Sequence, residues 1–261
     1  MIDHVFFLGG ADLEMATIRA LVTETLGPRA VVDKGLGWGG KVSDYAAELA
    51  ALPSGVVPVL VELALDNTPP ATAIVIDHHG AGADRPTSLE QVFALLALPP
   101  AAWTRFLALV AANDRGHVRA LRAMGAAPAE IAAIRAADRA AQGISPAEEQ
   151  AGAAALAAAR SLWQGRLTVV HLPHGRTATV TDRLAAVTDG DSLAELLILS
   201  PNEINFFGCG TAVQALDAAF PGGWTGGNLP AAGFWGHFAP LPPESALLAV
   251  LAATGSGGDL R

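Results

Sequence analysis

Cysteine and basic residues are scarce in this chain of 261 residues. The single cysteine, Cys209, excludes an internal disulfide framework and is typical of a reducing compartment. Only 16 basic residues face 25 acidic ones, and the formal net charge of −9 argues against a partner that is long nucleic acid. Small phosphorylated ligands stay compatible with this charge, because bound metal cations can reverse the local field.

The chain also lacks a long uninterrupted apolar segment. The longest candidate, residues 92–112, is interrupted by Pro99, Pro100 and Arg105, whereas a membrane helix needs ~20 consecutive apolar residues. The first residues lack the basic region of a signal peptide. We therefore expect a cytoplasmic protein without a membrane partner.

About half of the residues are apolar, 51%, which is enough for a sizeable core. Short apolar runs predict strands at residues 4–9, 30–33, 56–63 and 74–76, and helical patterns separate them. This alternation predicts an α/β fold with a parallel sheet. We expect a larger parallel-sheet domain over residues 1–145, a linker helix over 146–165 and a smaller α/β domain over 166–261, which faces the first across a cleft.

Two details of the helices and strands bear on the site. Thr87 and Glu90 have the spacing of a capping box and predict a helix start. A later helix is expected to end at Ala112, before Asn113. In the second domain, residues 167–171 and 177–181 look like strands, and a helix is expected from Asp182 to Val187.

The most informative segment is the apolar run Ile74–Ile76, which ends at Asp77, His78 and His79. Ligands collect where the strands of open α/β sheets end. One carboxylate and two imidazoles there can bind a transition metal and leave one imidazole for proton or phosphate work. The alternative is a strand end whose polar residues are simply solvated.

Other acids lie at comparable positions. Asp12 and Glu14 follow the first predicted strand, where they could line a pocket or stabilise a helix N-terminus. Glu62 lies in an otherwise apolar strand and therefore needs a metal or a buried base as its partner. Asp114 is either a ligand or a loop acid paired with Arg115.

In this order, these residues resemble the motifs of the DHH phosphoesterase superfamily, whose members include RecJ-type exonucleases, nano-RNases and cyclic-dinucleotide phosphodiesterases. The triplet is intact at Asp77, His78 and His79. The resemblance extends to Gly226, Gly227 and Asn228, where the small C-terminal domain of the family has Gly-Gly-His. It thus covers nearly the whole chain.

The resemblance implies one or two Mn²⁺ or Mg²⁺ ions. The metal ligands that it implies are Asp12, Glu14, Glu62, Asp77, His78 and Asp114. His79 and Asp77 would be catalytic, and Arg85, Arg115, Gly226, Gly227 and Asn228 would bind substrate. The chain departs from the family at Leu8, where a metal-binding histidine is usual, and at Glu14 and Glu62, where aspartate is usual. In the family pattern, the residues at positions 8, 12 and 62 hold the first of two metals, and those at 14, 62, 78 and 114 hold the second. The first metal site would therefore lose a ligand at Leu8, and the second would keep a full set.

These features predict a metal-dependent phosphoesterase that hydrolyses a small nucleotide or a short oligonucleotide. The alternative is a catalytically weakened or inactive DHH-type protein that binds a phosphorylated ligand or regulates a partner. The sequence also allows a homodimer. Three further patterns stay open: a P-loop-like segment at residues 35–41, a histidine pair at His171 and His174, and aromatic residues at 224, 234 and 235 that could stack on a base.

Overall fold

The computed structural model describes residues 4–37, 39–79, 82, 84–187 and 195–255. The chain divides into two compact units, Met1–Gly143 and Ile144–Arg261. The segment that the sequence suggested as a linker, residues 146–165, falls within the second unit. Among the described residues, no helix combines the length and the apolar character needed to cross a bilayer.

A parallel sheet forms the centre of the first unit. Its strands are β1 (His4–Leu8), β2 (Val31–Val32), β3 (Val57–Val61) and β4 (Ile74–Ile76). They are all parallel and lie in the order β2-β1-β3-β4. The helices are α1 (Leu13–Leu26), α2 (Ala46–Ala50), α3 (Ser88–Leu95), α4 (Arg105–Ala123) and α5 (Pro128–Ala141). The parallel α/β domain predicted from the sequence is confirmed.

The sheet aligns three strand ends at one edge. Leu8 pairs with Val61, and Val61 pairs with Ile76, so β1, β3 and β4 end in register. All three residues are buried. The polar residues that follow these strands are consequently brought to the same edge, as expected for the carboxyl ends of parallel strands.

Helix α4 differs from the prediction. It does not end at Ala112 but continues through Asn113 and Asp114 to a break, where Gly116 and His117 leave helical geometry. A loop-like sequence can stay helical when tertiary contacts hold it, since helix propensity is only a weak preference. Asp114 therefore lies on a helix and not in a loop.

The second unit contains a mixed sheet in the order β5-β6-β7-β8-β10-β9. Its strands are β5 (Arg160–Leu162), β6 (Leu167–His171), β7 (Glu195–Leu199), β8 (Glu203–Cys209), β9 (Trp224–Asn228) and β10 (Ala232–Phe238). Its helices are α6 (Pro146–Ala157), α7 (Ala178–Val187), α8 (Gly210–Ala219) and α9 (Glu244–Ala253). The predicted second α/β domain is confirmed.

The predicted strand at residues 177–181 is wrong, because most of this segment belongs to α7. Thr179 is fully buried and its hydroxyl donates to the carbonyl of Arg176. It fits against Gly152 of α6, where an added Cβ would lie 2.3 Å from the Thr179 hydroxyl. Burial and a local side-chain bond thus outweigh the β propensity of the threonines.

Gly9 offers a test of the edge of the first sheet. A Cβ on Gly9 would lie 2.1 Å from the carbonyl oxygen of Glu62, so β1 and β3 can meet only at a glycine. We expect Gly9→Ala to reduce the free energy of unfolding by about 1–3 kcal/mol, because one backbone must move. Urea denaturation measures this change. Gly37→Ala is the control, since its added Cβ would have no atom within 4 Å among the described residues beyond its chain neighbours. Equal effects of the two substitutions would contradict the packing argument.

Candidate metal centre

Four side chains converge at the carboxyl edge of the first sheet. Glu62 follows β3, His78 and His79 follow β4, and Asp114 is supplied by α4. Each offers one donor atom, and these atoms lie within 4.8 Å of one another. Glu62, His78 and Asp114 were predicted as metal ligands, and His79 as a catalytic residue.

The Nε2 atom of His78 lies at the centre of the group. It is 2.6 Å from Asp114 Oδ2, 3.4 Å from Glu62 Oε1 and 3.8 Å from Glu14 Oε2. Glu14, on the first turn of α1, therefore borders the same space. The mixture of one imidazole nitrogen and several carboxylate oxygens is a donor set that can bind a divalent metal ion.

Three buried polar atoms in this group have no hydrogen-bond partner among the described residues: Glu14 Oε2, His78 Nε2 and Asp114 Oδ2. His78 Nε2 and Asp114 Oδ2 lie 2.6 Å apart and form an ion pair when the imidazole is protonated, but neither atom has a hydrogen-bond partner among the described residues. Glu14 and His78 are only 2% and 7% exposed. Buried unpaired polar atoms are costly, and a cation bound among them would pair all three. The residues present thus fit a divalent metal.

The N-terminus of helix α3 donates hydrogen bonds to two acids of the site, Glu62 and Glu14. Its N-terminus has the predicted capping box, in which Thr87 and Glu90 bond reciprocally. The next two residues face the site: the Ser88 hydroxyl donates to Glu62 Oε1 at 2.7 Å, and the Leu89 N–H donates to Glu14 Oε1 at 2.9 Å. Such outer contacts orient ligands. The capping box was visible in the sequence, but the role of Ser88 was not.

The backbone of Glu62 is also unusual. Its φ of +53° lies in the left-handed region, which residues other than glycine rarely adopt. Its N–H donates to the carbonyl of Ile76 at 2.8 Å, which ties it to the end of β4. Strained residues of this kind are concentrated at functional sites.

Crowding of acids shifts several pKa values. Burial, followed by the charge of Asp114, raises the pKa of Glu14 well above its usual range. Burial raises the pKa of Asp12 to about 6. The neighbouring carboxylates of Asp114 and Glu62 raise the pKa of His78. Burial opposes ionisation of Glu62, but contacts with His78 and Ser88 outweigh it and lower the Glu62 pKa.

Asp12 and Asp77 lie outside the four-residue cluster. Asp12 is the N-cap of α1 and accepts the Met15 N–H at 2.8 Å. Asp77 Oδ1 accepts the His79 N–H at 2.8 Å and lies 3.1 Å from His79 Nδ1. Asp77 therefore orients His79, whose side chain is 46% exposed. The metal-binding roles suggested for these two aspartates stay predictions.

Position 8 cannot provide a ligand. The Leu8 side chain is fully buried, and its carbonyl accepts the Tyr45 hydroxyl at 2.6 Å. The residue that replaces the usual histidine is thus part of the apolar core.

The two arginines predicted to bind substrate line one cavity of about 450 Å³, together with Asp84, Pro86 and Glu90. Arg115 forms an ion pair with Glu90 at 2.7 Å. The alternative in which Asp114 is a loop acid paired with Arg115 is therefore not supported. The side chain of Arg115 is 56% exposed, and the substrate contacts predicted for Arg85 and Arg115 stay predictions.

The remaining predicted residues lie in the second unit. Gly226, Gly227 and Asn228 belong to β9, which pairs with β10, and only the backbone of Asn228 is described. The local structure explains both glycines. A Cβ on Gly226 would lie 2.3 Å from the Phe234 ring, and Gly227 has a φ of +96°, in the left-handed region that favours glycine. Their predicted contact with substrate stays a prediction.

The other open patterns find little support. The glycine-rich segment at residues 35–41 leads into a one-turn helix, Val42–Tyr45, and Trp38 lies outside the described residues. His171 is exposed and pairs with Glu244 at 3.3 Å. His174 Nε2 lies 3.0 Å from the carbonyl of Glu148, so the two histidines have separate partners. Trp235 is buried in the core, whereas Trp224 and Phe234 are partly exposed on β9 and β10.

No protein-family profile and no curated protein matches the sequence. Solved structures do match the fold. The DHH domain of a protein described as belonging to a family of ribosomal proteins has a TM-score of 0.59 at 12% identity, over 96% of this chain and 86% of that one. The chain has the DHH fold. The resemblance that the motifs suggested is therefore confirmed at the level of the fold.

Two further similar structures are enzymes by their descriptions. An exonuclease RecJ bound to manganese has a TM-score of 0.51 at 12% identity and covers 99% and 91% of the two chains. A pGpG-specific phosphodiesterase, PggH from Vibrio cholerae, has a TM-score of 0.50 at 11% identity and covers 99% and 100%. The chain spans about half, 52%, of the length of a RecJ from Thermus thermophilus.

The shifted pKa values predict how stability depends on pH without metal. In the folded chain Glu14 and His78 hold protons that the unfolded chain releases above the ordinary pKa of each group, so folding takes up protons. The free energy of unfolding of chelator-treated protein should then fall as the pH rises from about 6 to about 9. Glu14→Gln should weaken this dependence. Urea titrations at several pH values measure it, and a stability that rises over this range would contradict the assignment.

Proposed function

We propose that this protein is a metal-dependent phosphoesterase that hydrolyses a phosphoester of a small nucleotide or a short oligonucleotide. One observation carries the proposal: at the carboxyl edge of a parallel sheet with the DHH fold, three buried donor atoms of Glu14, His78 and Asp114 meet without a hydrogen-bond partner among the described residues. Such a group has little purpose without a cation. A site of this kind at a sheet edge is also open to a ligand.

Glu14, Glu62, His78 and Asp114 would hold the cation. Their mixed nitrogen and oxygen donors suit Mn²⁺, with Mg²⁺ as the substitute that prefers oxygen. The manganese in the similar RecJ structure supports this choice. When bound, the cation lowers the pKa of a coordinated water and polarises a phosphoryl oxygen.

His79 is the residue best placed to handle a proton or contact phosphate. Its imidazole is half exposed, and Asp77 fixes its orientation through two contacts to the same oxygen. Nδ1 faces Asp77, which leaves Nε2 for the substrate. Arg85 and Arg115 would add positive charge beside the phosphate, in a region where acids otherwise dominate.

Two features support a short substrate: the net negative charge of the chain and the glycine-containing segment of the second unit. A net charge of −9 disfavours long nucleic acid, whose binding relies on many phosphate contacts. We propose that Gly226, Gly227 and Asn228 bind a second phosphate and so select short substrates. The specificity of the similar PggH for pGpG agrees with a substrate of this size.

Leu8 favours a second candidate function. A buried leucine replaces a histidine of the family pattern, and Asp12 is engaged as a helix cap. The missing histidine and the engagement of Asp12 both weaken the first of the two possible metal sites. A protein that binds a phosphorylated ligand without hydrolysing it, or regulates a partner, would retain the second site alone.

A substrate panel separates the two candidates. Purified protein with Mn²⁺ would be incubated with dinucleotides, mononucleotide phosphates, short oligonucleotides and pyrophosphate, and products would be quantified by chromatography. Turnover of a dinucleotide or short oligonucleotide that stops with a chelator supports the enzyme. Saturable binding without turnover across the panel supports the alternative.

His78→Ala should abolish hydrolysis and weaken Mn²⁺ binding at least about tenfold, because it removes the atom at the centre of the cluster. Calorimetry measures the affinity, and an activity assay measures the rate. The control is His171→Ala, which removes an exposed histidine outside the site. Wild-type activity of His78→Ala would place the chemistry elsewhere.

Asn228→Ala should affect substrate binding more than the chemical step. If Asn228 contacts a phosphate that does not react, its loss raises KM and leaves kcat nearly unchanged, since the contact is the same in ground and transition states. Steady-state kinetics with a dinucleotide measures both. A large fall in kcat at unchanged KM would show that this residue acts on the reacting phosphate.

A further inference from the structure

A second group of polar residues lies in the first unit, and no sequence motif indicated it. Arg135 and Asp138 of α5 form an ion pair of 2.8 Å. They are only 5% and 3% exposed. Burying such a pair costs several kcal/mol per ion before any attraction is counted, and a pair of apolar residues is often at least as stable. The pair therefore needs a reason other than stability.

Asp138 connects α5 with α1, the helix that carries Glu14. Its Oδ1 accepts the N–H of Leu13 at 3.0 Å. Leu13 is the first residue of α1, where an N–H has no partner within the helix. It lies between Asp12 and Glu14, so this bond sets the position of the turn that carries Glu14.

Arg135 connects α5 with α4, the helix that carries Asp114. Its Nη1 donates to Asn113 Oδ1 at 2.8 Å and lies 3.1 Å from His117 Nδ1. Asn113 directly precedes Asp114, and it is itself buried. His117 has a φ of +49°, at the point where α4 departs from helical geometry. Arg135 thus holds both ends of the short segment that carries Asp114.

The two acids so connected contribute two of the three unpaired atoms of the metal centre. They lie on different helices, α1 and α4, so the hydrogen bonds of the sheet do not set their separation. Gln142 also donates to Asp138 Oδ2 at 3.1 Å, which fixes the carboxylate further. Hydrogen bonds through this ion pair thus connect the start of α1, which carries Glu14, with the segment of α4 that carries Asp114.

We propose that Arg135 and Asp138 are positioning residues that set the separation of Glu14 and Asp114 and thereby the metal affinity of the site. The proposal rests on the proposed metal-dependent function, because it assumes that these acids bind the cation. Neither Arg135 nor Asp138 is proposed to contact the metal or the substrate.

The test replaces the pair by apolar residues of similar shape, in the double variant Arg135→Met with Asp138→Leu. Such exchanges can preserve stability while removing both connections. The control is Arg105→Met with Glu130→Gln. Arg105 and Glu130 also join α4 to α5, through two bonds of 3.0 Å, but they lie nearer the surface and touch neither acid segment.

Two measurements on the full chain are needed. Calorimetric titration with Mn²⁺ gives the dissociation constant, and urea denaturation verifies that each variant is folded. We expect the buried double variant to bind Mn²⁺ about 10–100-fold more weakly than wild type, as for other outer contacts of metal sites, whereas the control should stay within about twofold. If the double variant does not fold, Asp138→Asn provides a milder test. It removes the charge that pairs with Arg135 but keeps an oxygen that can accept the Leu13 N–H, so we expect a smaller loss of Mn²⁺ affinity than in the double variant.

Hydrogen exchange of metal-free protein makes the result independent of metal binding. We expect faster exchange in peptides covering residues 12–17 and 113–118 of the buried variant, and no change in the control. Folded variants with wild-type Mn²⁺ affinity and unchanged exchange would overturn the proposal. If wild type binds no Mn²⁺, the proposed metal site fails, and exchange alone then decides whether the pair positions these segments.

Discussion

The structure of the first unit depends on one constraint: Glu14, Glu62, His78 and Asp114 are held together away from water. Three of their atoms have no hydrogen-bond partner among the described residues. Charges placed in this way repel or lose hydration unless protons or a cation compensate them. The raised pKa of Glu14 expresses this cost in the absence of metal. The surrounding elements can be understood as the scaffold that keeps this unfavourable group in place.

The scaffold fixes each acid through a different kind of contact. The register of β1, β3 and β4 brings the strand ends together, and Gly9 lets β1 approach Glu62 closely. The N-terminus of α3 binds two carboxylates through Ser88 and the Leu89 N–H. Helix α5 connects α1 and α4 through its buried ion pair. Because these contacts originate in separate elements, no single one determines the geometry.

The departures from the family pattern also have a physical basis. Leu8 is packed in the core, so the first of two possible metal sites lacks a donor there. Glutamates at positions 14 and 62 place their carboxylates one methylene farther from the backbone than aspartates would. Glu62 reaches the site from a left-handed backbone, and both carboxylates are held by α3. The four donor side chains of the proposed second site thus still converge, although two of them are longer than in the family pattern.

The sequence alone determined the parallel sheet, the helix start at Thr87 and the DHH motif, because these depend on local patterns of apolar, capping and turn residues. It also indicated Glu62, His78 and Asp114. Only the tertiary structure decided that Asp12 caps a helix, that Asp77 orients His79 and that residues 177–181 are mostly helical. It alone revealed the contact of Ser88 with Glu62 and the contacts of Arg135 and Asp138 with residues beside Asp114 and Glu14. The contacts of these three residues to other elements join positions from 18 to 125 residues apart, and no local sequence pattern encodes such pairings.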